Sequence, residues 1–228
     1  MTQPLDLSKP YRPIQVGVIL LASTTEILDV APIEIFNSFS EDYLKGFPEE
    51  IVPKELKAQA VKFEFHWVSA AGPSGTERLT SGVNIVPTDS FETCPPLDIV
   101  LMGAAATDYQ ATEAELAFIR KSYEDCSAFI AICGGFMAPM AAGLYEGKTV
   151  TAPLLFLDQL PTMAPHCTWI KKRWARDGKL WTSGTLLNGL DLMQAFAKHY
   201  WGGEGTLVDM ICKGGAWPDR DIDYKDVE

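Results

Sequence analysis

Short, nearly unbroken apolar runs alternate along this chain with longer segments in which apolar residues recur every third or fourth position. Ile14–Leu21, Asp98–Gly103 and Ala128–Ile132 are runs of the first kind, and apolar character on successive positions marks strands buried on both faces. Lys62–Ala70 partly alternates and is rich in aromatic residues, which predicts another strand. The second kind predicts helices over Thr112–Asp125, with Leu116, Ile119 and Tyr123 on one face, and over Leu187–Tyr200, with Leu190, Met193, Ala197 and Tyr200. Thr112 and Glu115 have the spacing of a capping box. Val30–Phe36 opens a further helix with Pro32 in its first turn, where proline fits best. Phe136–Leu144 reads as a short buried helix ending near Gly143, and Gly203–Cys212 as the last helix.

Turn chemistry accounts for the remaining segments. Arg176-Asp177-Gly178 is a hairpin turn between Trp169–Trp174 and Lys179–Ser183. Lys148–Ala152 is a short strand, and Gly72–Pro87 a small antiparallel excursion around Val83–Val86. Glu41–Gln59 is charged and carries Pro48 and Pro53, so it reads as a surface insertion with a short helix near Lys54–Ala60. Alternating strands and helices predict an α/β sandwich of three layers on a mostly parallel sheet. In such sheets ligands sit outside the carboxyl ends of the strands, here Leu21–Ser23, Gly103–Ala104 and Cys133. The division is an N-terminal arm (1–13), a single domain (14–216) and an acidic C-terminal tail (217–228).

Charge and composition narrow the function. The chain has 228 residues and a net charge of −11, which argues against nucleic acid as a partner because phosphate neutralisation requires a basic face. No apolar stretch approaches the roughly 18 residues of a membrane span, and the first fifteen residues lack the apolar core of a signal peptide. The five cysteines are odd in number and without metal-type spacing, as expected of reduced thiols in a cytoplasmic protein with no metal site.

Cys133 ends the Ala128–Ile132 run and precedes Gly134 and Gly135. A cysteine at a strand-to-helix crease, followed by two glycines that permit unusual dihedrals, is the thiol counterpart of a nucleophile elbow. A helix N-terminus beside the sulfur would favour the thiolate. Free cysteine is also a common core residue, and Cys94 and Cys212 have no motif around them. Backbone N–H groups of Gly134 and Ala104 are placed to converge on charge developing beside the sulfur.

Gly17–Leu21, Glu26–Pro32, Asp98–Ala104, Ala131–Gly135 with Ala141–Leu144, and Arg176–Gly184 together resemble the ThiJ/PfpI superfamily, within the branch of the isocyanide hydratases and their fungal homologues. The resemblance spans residues 14–202 and implies a flavodoxin-like fold akin to the class I glutamine amidotransferases. It also implies a homodimer with Ile33, Ile35 and Phe36 near the two-fold axis, a small-molecule substrate and no cofactor. It pairs Cys133 with a carboxylate from the first loop. The matching residue is Asp29, if one residue is deleted near Ala31, with Glu26 in reserve. A carboxyl beside a thiol can serve as an acid if burial and the neighbouring sulfur raise its pKa. Asp29 would also serve as the cap of a helix beginning at Val30. Gly103, Gly135 and the segment Trp181, Thr182 and Ser183 are expected to line the substrate pocket.

Two departures limit the reaction. Gly134 stands where the peptidase-like branch has a histidine, and Pro153 where the glyoxalase III-like branch has one. His66 in a strand and His199 near a helix end read as structural, and His166 beside Cys167 is a remote candidate. Cysteine with a carboxylic acid suits hydration of an isocyanide to an N-substituted formamide. The alternatives are glyoxalase III-like chemistry on 2-oxoaldehydes, or a redox-sensing protein whose Cys133 oxidises to sulfinic acid.

Overall fold

A computed structural model describes residues 4–226. Seven strands form the central sheet: β1 (Ile14–Ile19), β2 (Phe63–Ser69), β3 (Asp89–Ser90), β4 (Ile99–Met102), β5 (Ala128–Ala131), β6 (Trp174–Asp177) and β7 (Leu180–Ser183). Their order is β6-β7-β5-β4-β1-β2-β3. Every neighbouring pair is parallel except the β6–β7 hairpin, which turns at Gly178 with φ +63°. The main helices are α1 (Glu113–Asp125), α2 (Asn188–Trp201) and α3 (Leu207–Gly214).

The apolar runs are continuous because each strand feeds two cores. Ile99, Leu101, Ala128, Ile130 and Trp181 point to one side, into a core shared with Phe36, Phe196 and Leu207. Val100, Met102, Phe129 and Leu180 point to the other, against Phe118 and Ile119 of α1. The result is a three-layer α/β sandwich, as the alternation of elements predicts.

Several elements differ in detail from the sequence reading. Thr149–Val150 pairs with Thr168–Trp169 in a separate two-stranded sheet and never joins the main one. On α1 the capping box forms, but the buried face is Glu115, Phe118, Ile119 and Ser122, with Leu116 and Tyr123 only partly covered. The helix expected from Val30 begins earlier, at Ile27. It runs Ile27–Val30, then a 3-10 turn over Ala31–Ile33, then Glu34–Ser38. Ile35 and Phe36 are wholly buried in the chain's own core, because this helix packs beneath α2.

Both terminal segments are fastened to the body. Leu5 and Leu7 are buried, and the Leu7 carbonyl accepts from Trp201 Nε1 at 2.7 Å. Arg12 grips Asp98 through both guanidinium nitrogens, at 2.6 and 2.9 Å. The C-terminal segment is held by Arg220 on Asp191 and by Arg173 on Asp226, so what the composition shows as an acidic tail is a strap. No helix among the described residues is long and apolar enough to cross a membrane.

Candidate active site

Three strand ends converge at the carboxyl edge of the sheet, and three glycines allow them to do so. A Cβ on Gly135 would lie 2.4 Å from the Met102 carbonyl oxygen, so β4 and the elbow touch backbone to backbone. A Cβ on Gly103 would meet Asp29 Cβ at 2.8 Å, and one on Gly134 would meet Ala104 Cβ at 2.8 Å. Cys133, at the crease itself, has φ +54°, a left-handed conformation that is costly for a residue with a side chain. Its N–H donates to Ser183 Oγ at the end of β7, at 3.3 Å. The chain then makes a 3-10 turn over Cys133–Phe136 and a helix of only five residues, Met137–Ala141.

Asp29 sits opposite the sulfur and is wholly buried. The Glu26 side chain caps its helix by accepting from Leu28 N, which leaves Asp29 free to turn inward. One carboxylate oxygen, Oδ2, accepts from the Ala104 N–H at 2.8 Å. The other, Oδ1, is buried with no hydrogen-bond partner. Such an orphan oxygen is costly for a carboxylate and much less so for a carboxylic acid. Burial accordingly raises the Asp29 carboxyl to about 7, helped by the charge of Glu26 and opposed by the Ala104 bond and by the facing Cys133 thiol.

Burial also pushes the Cys133 thiol up to about 12, reinforced by the facing Asp29 and by Glu26. The expectation of a resting thiolate is thus corrected. The elbow helix is too short to present a substantial dipole, and the nearest charges are negative rather than positive. Two backbone N–H groups, of Gly134 and Leu186, oppose the rise by facing the sulfur. Burial thus moves both members of the pair, Asp29 and Cys133, toward their neutral forms.

A cavity of about 190 Å³ opens beside the elbow, with Leu21, Gly103, Tyr109, Gly134, Gly135 and Met140 among its walls. Its lining is mostly small or apolar. The Tyr109 hydroxyl, on this wall, donates to Glu115, whose carboxylate also accepts from Ala22 N and Thr112 N.

A model of the DJ-1/PfpI family matches residues 18–199. The chain belongs to the DJ-1/PfpI family. It is 33% identical to the isonitrile hydratase of Pseudomonas putida over 122 residues, a match that spans 53% of each chain. Among solved structures it is similar to a ThiJ/PfpI family protein from Pseudomonas syringae, with a TM-score of 0.70 at 16% identity over 95% of this chain and 80% of that one. Drosophila melanogaster DJ-1beta superimposes with a TM-score of 0.67 at 16% identity, covering 91% of this chain and 100% of its own. At these identities the structural neighbours establish the fold, a flavodoxin-like α/β sandwich.

On this DJ-1/PfpI scaffold the residues expected at the site separate into three groups. Cys133, Asp29, Gly103, Gly134 and Gly135 come together at the strand ends. Ala104 is near but differently employed, since its N–H is already bound to Asp29 and is not free to receive an oxyanion. Leu186, whose backbone lowers the Cys133 thiol together with that of Gly134, is announced by no sequence motif. Trp181 and Thr182 lie away from the cavity. Trp181 is buried against Phe196 and Trp174, on the core side of the sheet. Thr182 faces the opposite way and accepts from Thr151 N. Ser183 also stays out of the cavity wall, and its hydroxyl accepts from the Cys133 N–H.

None of the three histidines reaches the sulfur. His66 bridges Asp89 and Gln15 in the sheet at 2.8 and 2.7 Å. His199 is exposed beside Arg176, and His166 is exposed in the loop before Cys167.

Proposed function

We propose that the protein hydrates a small apolar isocyanide to the corresponding N-substituted formamide, with Cys133 as nucleophile and Asp29 as the carrier of its proton. The observation that carries this reading is the buried Asp29 carboxyl with one unpartnered oxygen, facing a thiol that has no histidine. Peptidase and amidotransferase sites activate the cysteine through a histidine, and no histidine among the described residues hydrogen-bonds to this sulfur. Isocyanide carbon requires both a nucleophile and a proton on the same atom, and the site supplies both.

As sulfur attacks the terminal carbon, its proton passes to ionised Asp29 and from there to that carbon. The product is a thioimidate, Cys133–S–CH=N–R, with Asp29 again ionised. Water then adds across the C=N bond, oxygen to carbon and hydrogen to nitrogen, with Asp29 orienting the attacking oxygen. The adduct collapses by breaking the C–S bond. The hydroxyl proton returns to sulfur and R–NH–CHO leaves. The Gly134 and Leu186 N–H groups favour negative charge at the sulfur during attack and departure. The neighbouring cavity, lined by Leu21, Met137 and Met140 together with small residues, suits an apolar R group.

The similarity to isonitrile hydratase over half the chain supports the same reading. Purified protein challenged with a panel of isocyanides and 2-oxoaldehydes tests it. Formamide production that disappears in Cys133→Ser is the expected result. Turnover of a 2-oxoaldehyde with no turnover of any isocyanide would overturn it in favour of glyoxalase-like chemistry.

A further inference from the structure

The carboxylate of Glu115 does more than close the capping box of α1. It is 1% exposed, and its Oε2 accepts from the Thr112 N–H at 2.7 Å and from the Thr112 hydroxyl at 2.9 Å, which completes the cap. The same oxygen accepts from the Tyr109 hydroxyl at 2.8 Å, and Oε1 accepts from the Ala22 N–H, also at 2.8 Å. Burial alone would raise this carboxyl, but the bonds from Ala22, Thr112 and Tyr109 outweigh it and hold the group below the usual carboxylate range. One buried anion therefore ties together the exit of β1, the loop after β4 and the start of α1. Two further bonds lace the first two of these segments. The Ala104 carbonyl accepts from the Glu26 N–H at 2.9 Å, and the Ala106 N–H donates to Ser23 Oγ at 3.1 Å.

The tied segments are walls of the cavity beside the elbow. Leu21, next to Ala22, lines it, and Tyr109 is the one aromatic residue of the lining. The other long apolar side chains there are chiefly methionines, Met137, Met140 and Met163. Methionine is unbranched, has three rotatable bonds and repacks around what occupies a site. Tyr109 is held at its far end, where the hydroxyl meets both Glu115 oxygens, at 2.8 and 3.0 Å. We infer that Tyr109 is the specificity-determining residue of this cavity, a fixed wall that Glu115 positions while the methionines yield to the bound group. A capping box needs only Thr112. The bonds to Tyr109 and Ala22 are additional, and both lead to the cavity lining.

This inference deepens the proposed hydration and rests on the cavity receiving the substituent of the isocyanide. Tyr109→Phe keeps the ring and removes its anchor, and Tyr109→Leu shortens the wall. Parent and variants are each given ethyl, butyl and octyl isocyanide, and the matching N-alkylformamides are titrated by calorimetry, which needs no turnover. The quantity read is the ratio of kcat/KM for octyl over ethyl isocyanide, because a merely structural defect lowers both alike and leaves the ratio in place. That ratio should rise by roughly ten- to hundredfold in Tyr109→Leu. In Tyr109→Phe it should rise by roughly three- to tenfold, the value of one hydrogen bond. The change should lie in KM, and the formamide affinities should shift in the same order. A ratio unchanged or lowered in Tyr109→Leu, in hydration and in formamide binding alike, would overturn the inference and leave the proposed function standing. A Tyr109→Phe ratio equal to the parent's would remove Glu115 as the group that holds the wall. Formamide selectivity that moves in Tyr109→Leu, with no isocyanide hydrated by the parent, would sink the proposed function and keep Tyr109 as the selector. A parent that neither hydrates nor binds any member of the two series would sink both.

Discussion

At the residue scale the site is a coupled pair in which burial pushes both members toward their neutral forms. Asp29 has the clearer consequence for stability. Its carboxyl titrates at about 7 in the folded protein against 3.8 ordinarily, so between these values the native state binds more protons than the unfolded chain. Its contribution is therefore fully present below about pH 4 and is lost as pH rises toward and through 7, by on the order of 4 kcal/mol at most. Asp29→Asn removes this titration while keeping an acceptor for the Ala104 N–H. Thermal melts at pH 4 to 8 should find the variant gaining on the parent as pH rises and more stable than it at pH 8. A parent melting temperature that climbs from pH 4 to 7, with the variant climbing in step, would contradict the assignment. The same substitution removes the proton carrier, so isocyanide turnover should fall by roughly 10²- to 10⁴-fold with the fold intact. Full activity in Asp29→Asn, with loss in Glu26→Gln, would transfer the role to Glu26.

At the element scale the elbow depends on the approach of β5 to β4 at Gly135. No rotamer relieves a contact between a Cβ and a backbone carbonyl 2.4 Å away, so Gly135→Ala must displace one of the two strand ends. The cost should be about 2 to 4 kcal/mol, equivalent to a fall in melting temperature of roughly 5 to 15 °C, with loss of Cys133 function. Gly143 has φ +82° but open space around its Cβ position, so Gly143→Ala should cost only the strain of the left-handed backbone. Differential scanning calorimetry of the two variants separates these effects, and equal losses would show that crowding at the elbow is not the cause. Both glycines were visible as punctuation in the sequence. Only the packed structure distinguishes the one required by a neighbouring strand from the one required by a turn.

At the scale of the whole molecule, association is the open property. The family resemblance implies a homodimer; of the three residues expected near its axis, Ile35 and Phe36 are buried in the chain's own core and Ile33 is half-buried. The exposed apolar residues closest in sequence to Asp29 and Leu186 are Leu28 and Leu187, 44% and 49% exposed. We propose a dimer through surface beyond the buried helix face. Sedimentation at micromolar concentration should give twice 25.1 kDa, and a single species at that monomer mass would refute it. What the sequence determined by itself is the α/β alternation, the near-continuous apolar strands, the capping box of α1 and the elbow at Cys133. Each of these follows from short-range rules of period, turn and cap, which a linear pattern records. Tertiary structure decided the rest. It sent Trp181 into the core, because strand alternation cannot say which face will meet α2. It engaged the Ala104 N–H with Asp29 and turned an acidic tail into a strap fastened through Asp191 and Arg173. These are contacts between residues up to 75 positions apart, and they also set the thiol and carboxyl toward neutrality. Burial and neighbouring charge govern ionisation, and both exist only once distant segments have been brought together.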